Sequence, residues 1–202
     1  MRSFFRQFAH PEGPLGWLVG HLMAQKNGAR SRFALELLGA RPGEHVLELG
    51  FGPGVDVALL WRAVGPSGRV AGVDVSKEMV RHARRRNHAA VASGGVDLRQ
   101  APATALPFEA ASFDAIYATN SAQFWRDLDA GFAEIHRVLR PGGRAVVRVQ
   151  PMWKGATAVD AREWATRLRR SMEHAGFVSV TSNERELRPV LTVAALGSVP
   201  PS

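Results

Sequence analysis

Glu48-Leu49-Gly50-Phe51-Gly52-Pro53-Gly54 is the stretch on which the reading of this chain turns. It closes the apolar run His45–Leu49, read as a strand, and precedes a helical period over Val55–Val64. In a strand–loop–helix turn, glycines permit backbone conformations and close ligand approach that a Cβ would block, and the helix N-terminus offers unpaired N–H groups. Spacing then narrows the ligand. A dinucleotide fingerprint needs glycine at its first, third and sixth positions, and Val55 stands at the sixth. The third glycine is Gly54 instead. An acid, Glu48, lies two residues ahead of the first, where a pyrophosphate would gain nothing from it.

Beyond this stretch, short β-branched and apolar runs alternate with helical periods, the signature of a parallel sheet with crossover helices. Further strands are expected at Arg69–Asp74, Val96–Gln100, Phe113–Thr119 and Arg144–Val149, with helices at Lys77–Ala92 and Leu128–Leu139. Pro141-Gly142-Gly143 stops the latter helix, and Gly65-Pro66-Ser67-Gly68 separates the first helix from the second strand. The C-terminal part differs. A helix over Val159–Ala175 ends at Gly176, and two extended runs follow, Phe177–Ser182 and Val190–Leu196. The segment between them is shorter than the dozen or so residues a crossover needs, so these two strands must pair antiparallel. The expectation is an α/β sandwich of three layers around a seven-stranded, mostly parallel sheet with one antiparallel strand. Residues 1–42 read as a small N-terminal helical cap, 43–197 as the main domain and 198–202 as a frayed tail.

With 202 residues, 46% hydrophobic and 22% charged, the chain matches an ordinary globular domain rather than a disordered or collagen-like one. The absence of cysteine excludes a disulfide scaffold, a thiolate metal site and a cysteine nucleophile. No metal is assigned. Met1–Pro14 carries charges and prolines where a signal peptide would be apolar, and Leu15–Met23 is far short of the roughly 20 residues that span a bilayer. A soluble, cytoplasmic protein is expected. The net charge of +8 and pI near 11.2 raise nucleic acid as a partner. The densest cluster, Arg81 to His88, nonetheless lies off the Met79, Val80, Ala83 side of its helix, and no aromatic residue interleaves with the arginines. That arrangement describes a solvated helix face.

The second strand ends in Val73-Asp74-Val75-Ser76. A carboxylate there can accept both hydroxyls of a ribose, and Ser76 can cap the helix that follows. Further on stand Leu106-Pro107-Phe108 before Ser112-Phe113-Asp114, then Leu139-Arg140-Pro141-Gly142-Gly143. Together with the glycine loop, in this order, these elements resemble class I S-adenosylmethionine-dependent methyltransferases, above all the branch containing quinone- and sterol-type small-molecule enzymes. The resemblance covers roughly Pro42 to Leu196 and implies a Rossmann-like fold with a reversed final strand.

It also implies roles. Gly50, Gly52 and Gly54 would pass under the methionyl and ribose parts of S-adenosylmethionine, with Glu48 near its amino group. Asp74 would hold the ribose hydroxyls, Val75 would pack on the adenine, Ala103 and Thr104 would lie along the adenine edge, and Asn120 would face the methionyl end. One departure stands out. The family often has Asp before the alanine aligned with Ala103, where it reads the adenine amino group, and Pro102 occupies that position.

The acceptor is expected beyond the carboxyl ends of the strands. Trp17, Phe124, Trp125 and Trp153 would give an apolar lining suited to a small hydrophobic or planar molecule. No large recognition domain is expected beside the sheet, and Thr119-Asn120-Ser121-Ala122 stands where base- and glutamine-methylating enzymes carry an Asn-Pro-Pro-Tyr-like tetrad. Both points argue against nucleic acid. An RNA methyltransferase and a cofactor-binding protein without transfer activity are the competing readings. No catalytic base is assigned: His82 and His88 lie on the basic helix, His136 lies on the polar side of its own helix, and His10 and His21 are the histidines of the cap that could reach the pocket. Tyr117 reads as core.

Overall fold

The computed structural model describes residues 28–202. Trp17, His10, His21 and most of the expected cap lie outside the described residues. The first described element is helix α1 (Gly28–Leu38). It is followed by β1 (His45–Leu49), α2 (Val55–Val64), β2 (Arg69–Asp74), α3 (Lys77–Arg86), α4 (His88–Ala92), β3 (Val96–Gln100) and β4 (Phe113–Thr119). The chain continues with a short 3-10 turn (Ala122–Phe124), α5 (Leu128–Val138), β5 (Leu139–Val149), α6 (Ala158–His174), β6 (Val178–Arg185) and β7 (Thr192–Ser198).

The strands form one seven-stranded sheet in the order β3-β2-β1-β4-β5-β7-β6. Only β7 is reversed, pairing antiparallel with both β5 and β6. Central strands of such a sheet are covered on both faces, so they read as nearly continuous apolar runs. One apolar cluster, on the α5 and α6 side, contains Leu47, Leu49, Ile116, Phe132, Ile135, Val147, Leu168 and Met172. The other, on the α1, α2 and α3 side, contains Phe33, Val46, Val57, Leu60, Val80, Ala115, Tyr117 and Val146. Strand alternation puts Glu48 on the face of Val46, beside its register partner Tyr117 on β4. A carboxylate is thereby built into an otherwise apolar layer.

Local signals set the helix ends. Ser76 accepts the Met79 N–H at 3.3 Å and Asp127 the Ala130 N–H at 3.0 Å, while Thr157 and Asp160 form a reciprocal capping box on α6. Each such cap contributes about 1 kcal/mol. Arg144 anchors α1 to the sheet, donating from Nε to the Leu38 carbonyl (2.6 Å) and pairing through both terminal nitrogens with Glu44 (2.9 and 2.8 Å).

Several boundaries differ from the sequence reading. The helix expected over Lys77–Ala92 breaks at Asn87, which ends α3 and begins α4. The fifth strand starts at Leu139 rather than Arg144, because Leu139 already pairs with Phe113 before a register irregularity. The last two strands run to Arg185 and Ser198. Val199 is buried and exchanges backbone hydrogen bonds with Gly142 and Gly143, so order reaches into the segment expected to fray.

Candidate active site

The glycine loop leaves β1 at the sheet's carboxyl edge, and each of its glycines does something different. The Gly50 N–H donates to the Val73 carbonyl at 2.8 Å, prolonging the β1–β2 ladder. A Cβ on Gly50 would collide with the Cβ of Ser121, whose hydroxyl donates to the Leu49 carbonyl at 2.8 Å. Gly54 adopts a left-handed conformation (φ 75°) at the start of α2, and a Cβ there would lie 2.6 Å from that of Ala83 on α3. Gly52, with φ 52°, faces open space among the described residues: beyond its own chain neighbours, none of their atoms lies within 4 Å of where its Cβ would be. Gly50 and Gly54 therefore allow protein to approach protein, and Gly52 is the loop's open point.

Asp74 holds that point in place. One carboxylate oxygen accepts the Gly52 N–H and the other the Ser76 N–H, both at 2.9 Å. Val75 beside it is 45% exposed, a large apolar side chain left uncovered at the end of β2, and its carbonyl accepts from the Gln100 side chain at 3.0 Å. Ala103 is buried and Thr104 half-buried in the turn after β3.

Glu48 is 2% exposed, and its Oε2 has no hydrogen-bond partner among the described residues. Burial pushes its carboxyl well above the ordinary 4.5, and the charges of Asp56 and Asp74 push in the same direction. Asp56, buried in the first turn of α2, accepts the Tyr117 hydroxyl at 2.9 Å; the Ser31 carbonyl lies 3.3 Å from the same hydroxyl. Burial and then Asp56 raise the Tyr117 phenol well above its usual value of 10.0, so it remains a donor. Arg148 on β5, also buried, donates to Thr192 Oγ1 at 2.9 Å. The floor of the site thus concentrates carboxylates and contains an acceptor oxygen that lacks a donor. An amino or ammonium group fits that oxygen, and a ligand passing over Gly52 fits the uncovered space there.

Asn120 stands just past β4 in a left-handed conformation (φ 48°), which Asn tolerates better than most residues. Its N–H donates to the Arg148 carbonyl and its Oδ1 accepts the Gln150 N–H, each at 2.8 Å. The Gln150 side-chain amide in turn donates to the carbonyls of Leu187 and Val190. Asn120 therefore stitches the ends of β4 and β5 together. Phe124, Met152 and Trp153, on the segments that leave these two strands, are 51%, 46% and 38% exposed. Trp125 turns inward. Its ring packs over Gly131 and meets Phe132 edge-on at 5.9 Å, so it joins the core beneath α5 rather than the exposed rim.

Sequence reasoning passed over Asp56, Asn87, Ser121 and Gln150. Two of them carried a signal: Asp56 shares a helical stripe with Leu60 and Val64, and Asn87 shares one with Val80 and Ala83. A polar residue on a buried stripe needs a partner. Ser121 and Gln150 owe their positions to tertiary contacts that no local pattern announces.

Residues 47–147 match the family described as a methyltransferase domain. The chain is 28% identical over 183 residues to the uncharacterized methyltransferase YdaC of Bacillus subtilis, a span of 91% of this chain and 98% of that protein. It is 37% identical over 116 residues to the ubiquinone/menaquinone biosynthesis C-methyltransferase of Pasteurella multocida, covering 57% of this chain but only 43% of that enzyme. A crystal structure of an S-adenosylmethionine-dependent methyltransferase from Aquifex aeolicus superposes with a TM-score of 0.71 at 19% identity, over 98% of this chain and 97% of that one. With the glycine loop, the carboxylate at the end of β2 and the sheet order already described, the chain belongs to the class I S-adenosylmethionine-dependent methyltransferases.

Proposed function

We propose that this protein transfers a methyl group to a small hydrophobic or planar acceptor. The observation that carries the acceptor class is the exposed trio Phe124, Met152 and Trp153 on the segments leaving β4 and β5. Large apolar side chains left uncovered beside a polar cradle are a recurrent mark of a small-molecule site. The C-methyltransferase name of the Pasteurella relative supports the same class, although the chain spans less than half of that enzyme. The arginines of α3 give little support to a nucleic-acid acceptor, since Arg81 pairs with Glu78, and Arg84 and Arg86 donate to the carbonyls of Leu98 and Pro53.

When bound, S-adenosylmethionine supplies an electrophilic methyl group on its sulfonium. The chain's part is to bind, orient and exclude water. In this reading Glu48 accepts from the amino group, with Oε2 as the acceptor. Asp74 accepts from the ribose hydroxyls, its orientation fixed by the Gly52 and Ser76 N–H groups; a carboxylate offers about four acceptor positions. Gly50, Gly52 and Gly54 shape the loop beneath the ligand, Val75 packs on the adenine, and Ala103 and Thr104 line its edge. Asn120 acts by holding the ends of β4 and β5 in register around the methionyl end. Alignment of donor and acceptor can contribute roughly 7–11 kcal/mol, so no side chain is assigned as a base. An acceptor acidic enough to enter the site already ionised, its proton left to bulk solvent beforehand, needs no base there.

The test is methyl transfer from labelled cofactor to a panel of phenols, quinols, isoprenoids and RNA. Label in one of the small apolar classes is expected. Label in RNA alone would overturn the acceptor class while leaving the family intact.

A further inference from the structure

We propose that Asn87 is a positioning residue that latches the cofactor loop from behind, through a hydrogen bond to the Gly54 carbonyl. The inference rests on the cofactor seat proposed above. Asn87 is buried at the break between α3 and α4, and its side-chain nitrogen donates to the carbonyls of Gly54 and Ala83, each at 2.9 Å. Neither helix end needs that side chain. The Asn87 backbone N–H already closes α3 onto the Ala83 carbonyl, the Asn87 carbonyl takes the Val91 N–H, and α4 has no side-chain cap. The carboxamide is free to serve a site distant in sequence.

Three further contacts converge on the same point. Arg86, the preceding residue, donates from Nε to the Pro53 carbonyl at 2.9 Å, so two consecutive side chains hold two consecutive loop carbonyls. The missing Cβ of Gly54 lets the loop rest against Ala83, whose own Cβ would lie 2.6 Å from one added there. On the opposite limb, the Gly52 N–H is held by Asp74. The loop is therefore pinned at Gly52 by β2 and at Gly54 by α3. The Gly54 carbonyl also accepts the first intrahelical bond of α2; without the Asn87 donor it loses the second hold that fixes its direction. The peptide units between Gly52 and the first turn of α2 would then sample other orientations, and cofactor binding would have to select among them.

The test compares Asn87→Ala with Leu168→Val, a core change on α6 remote from the loop, by calorimetric titration with S-adenosylhomocysteine and by amide hydrogen exchange. Losing an internal hydrogen bond of this kind predicts a dissociation constant raised roughly two- to twelve-fold and faster exchange over residues 50–55 in Asn87→Ala. Leu168→Val, destabilised in its own region, should change neither. Affinity and loop exchange unaltered in Asn87→Ala, or altered equally in both variants, would overturn the latch. If Asn87→Ala does not fold, the wild-type protein decides. Cofactor product should slow exchange over residues 83–88 as well as 50–55, and protection confined to 50–55 would refute the proposal. Protection of neither segment would instead refute the cofactor seat.

Discussion

The carboxylate of Asp74 accepts the backbone N–H of Gly52 at 2.9 Å, tying the end of β2 to the one glycine of the loop that faces open space. A side chain read from sequence as a ligand contact is thus also the strut that shapes the ligand's seat. Removing it should cost twice. Asp74→Ala is expected to weaken S-adenosylmethionine binding by about 1.5–3 kcal/mol, the scale of hydrogen bonds to a charged group. The melting temperature should fall as well, because the Gly52 and Ser76 N–H groups lose their acceptor. Calorimetry and thermal denaturation of the same preparation check both.

Glu48 makes the free protein sensitive to pH in a direction opposite to that of a salt-bridged acid. Its carboxyl titrates above 4.5 when folded, first because it is buried and then because Asp56 and Asp74 are near. The folded state therefore holds a proton that the unfolded chain releases. Stability should fall as pH rises above the unfolded value and level off beyond the raised folded one. Glu48→Gln is expected to flatten that decline in urea titrations across pH. Ammonium binding favours the ionised carboxylate, so cofactor binding below the raised value should release protons. Titrations in buffers of differing ionisation enthalpy measure that release.

The glycines should separate by substitution. Gly50→Ala forces a Cβ into that of Ser121 and should lower stability with or without ligand. Gly52→Ala meets no neighbour and bears only its left-handed backbone, about 1–2 kcal/mol, while Gly52→Val should block cofactor at the open face. Denaturation midpoints alongside dissociation constants distinguish these patterns.

The aromatic residues after β4 divide in the same way. Trp125→Ala empties a half-buried position packed against Gly131 and Phe132 and should destabilise by about 1–3 kcal/mol. Phe124→Ala and Trp153→Ala remove exposed rings and should shift stability by no more than about 0.5 kcal/mol. Once an acceptor is found, those two should raise its KM. A melting temperature unmoved in Trp125→Ala would contradict the inward packing.

Much of this was legible before any coordinates. The strands of the parallel half carry their own periodicity, so His45–Leu49, Arg69–Asp74, Val96–Gln100 and Phe113–Thr119 stand where the apolar pattern puts them. The reversed strand followed from the shortness of the link between the last two strands. The break at Asn87 was hidden because Val80, Ala83, Val91 and their neighbours keep a helical period through it. Trp125 was hidden for a similar reason: a tryptophan three residues ahead of a helix can point either way, and the small residue at Gly131 that receives its ring is recognisable only once α5 is in place. The gathering of Glu48, Asp56 and Tyr117 likewise depends on register between strands distant in sequence.

Strand order has a consequence for synthesis. Strand β7, synthesised after both β5 and β6, is threaded between them, and neither of these pairs with the other. A nascent chain can assemble the glycine loop and strands β1 to β4 early, but the outer edge of β5 stays open until Ser198 has emerged. A translational stop before Thr192 would leave two unsatisfied ladders side by side, a template for association between unfinished chains.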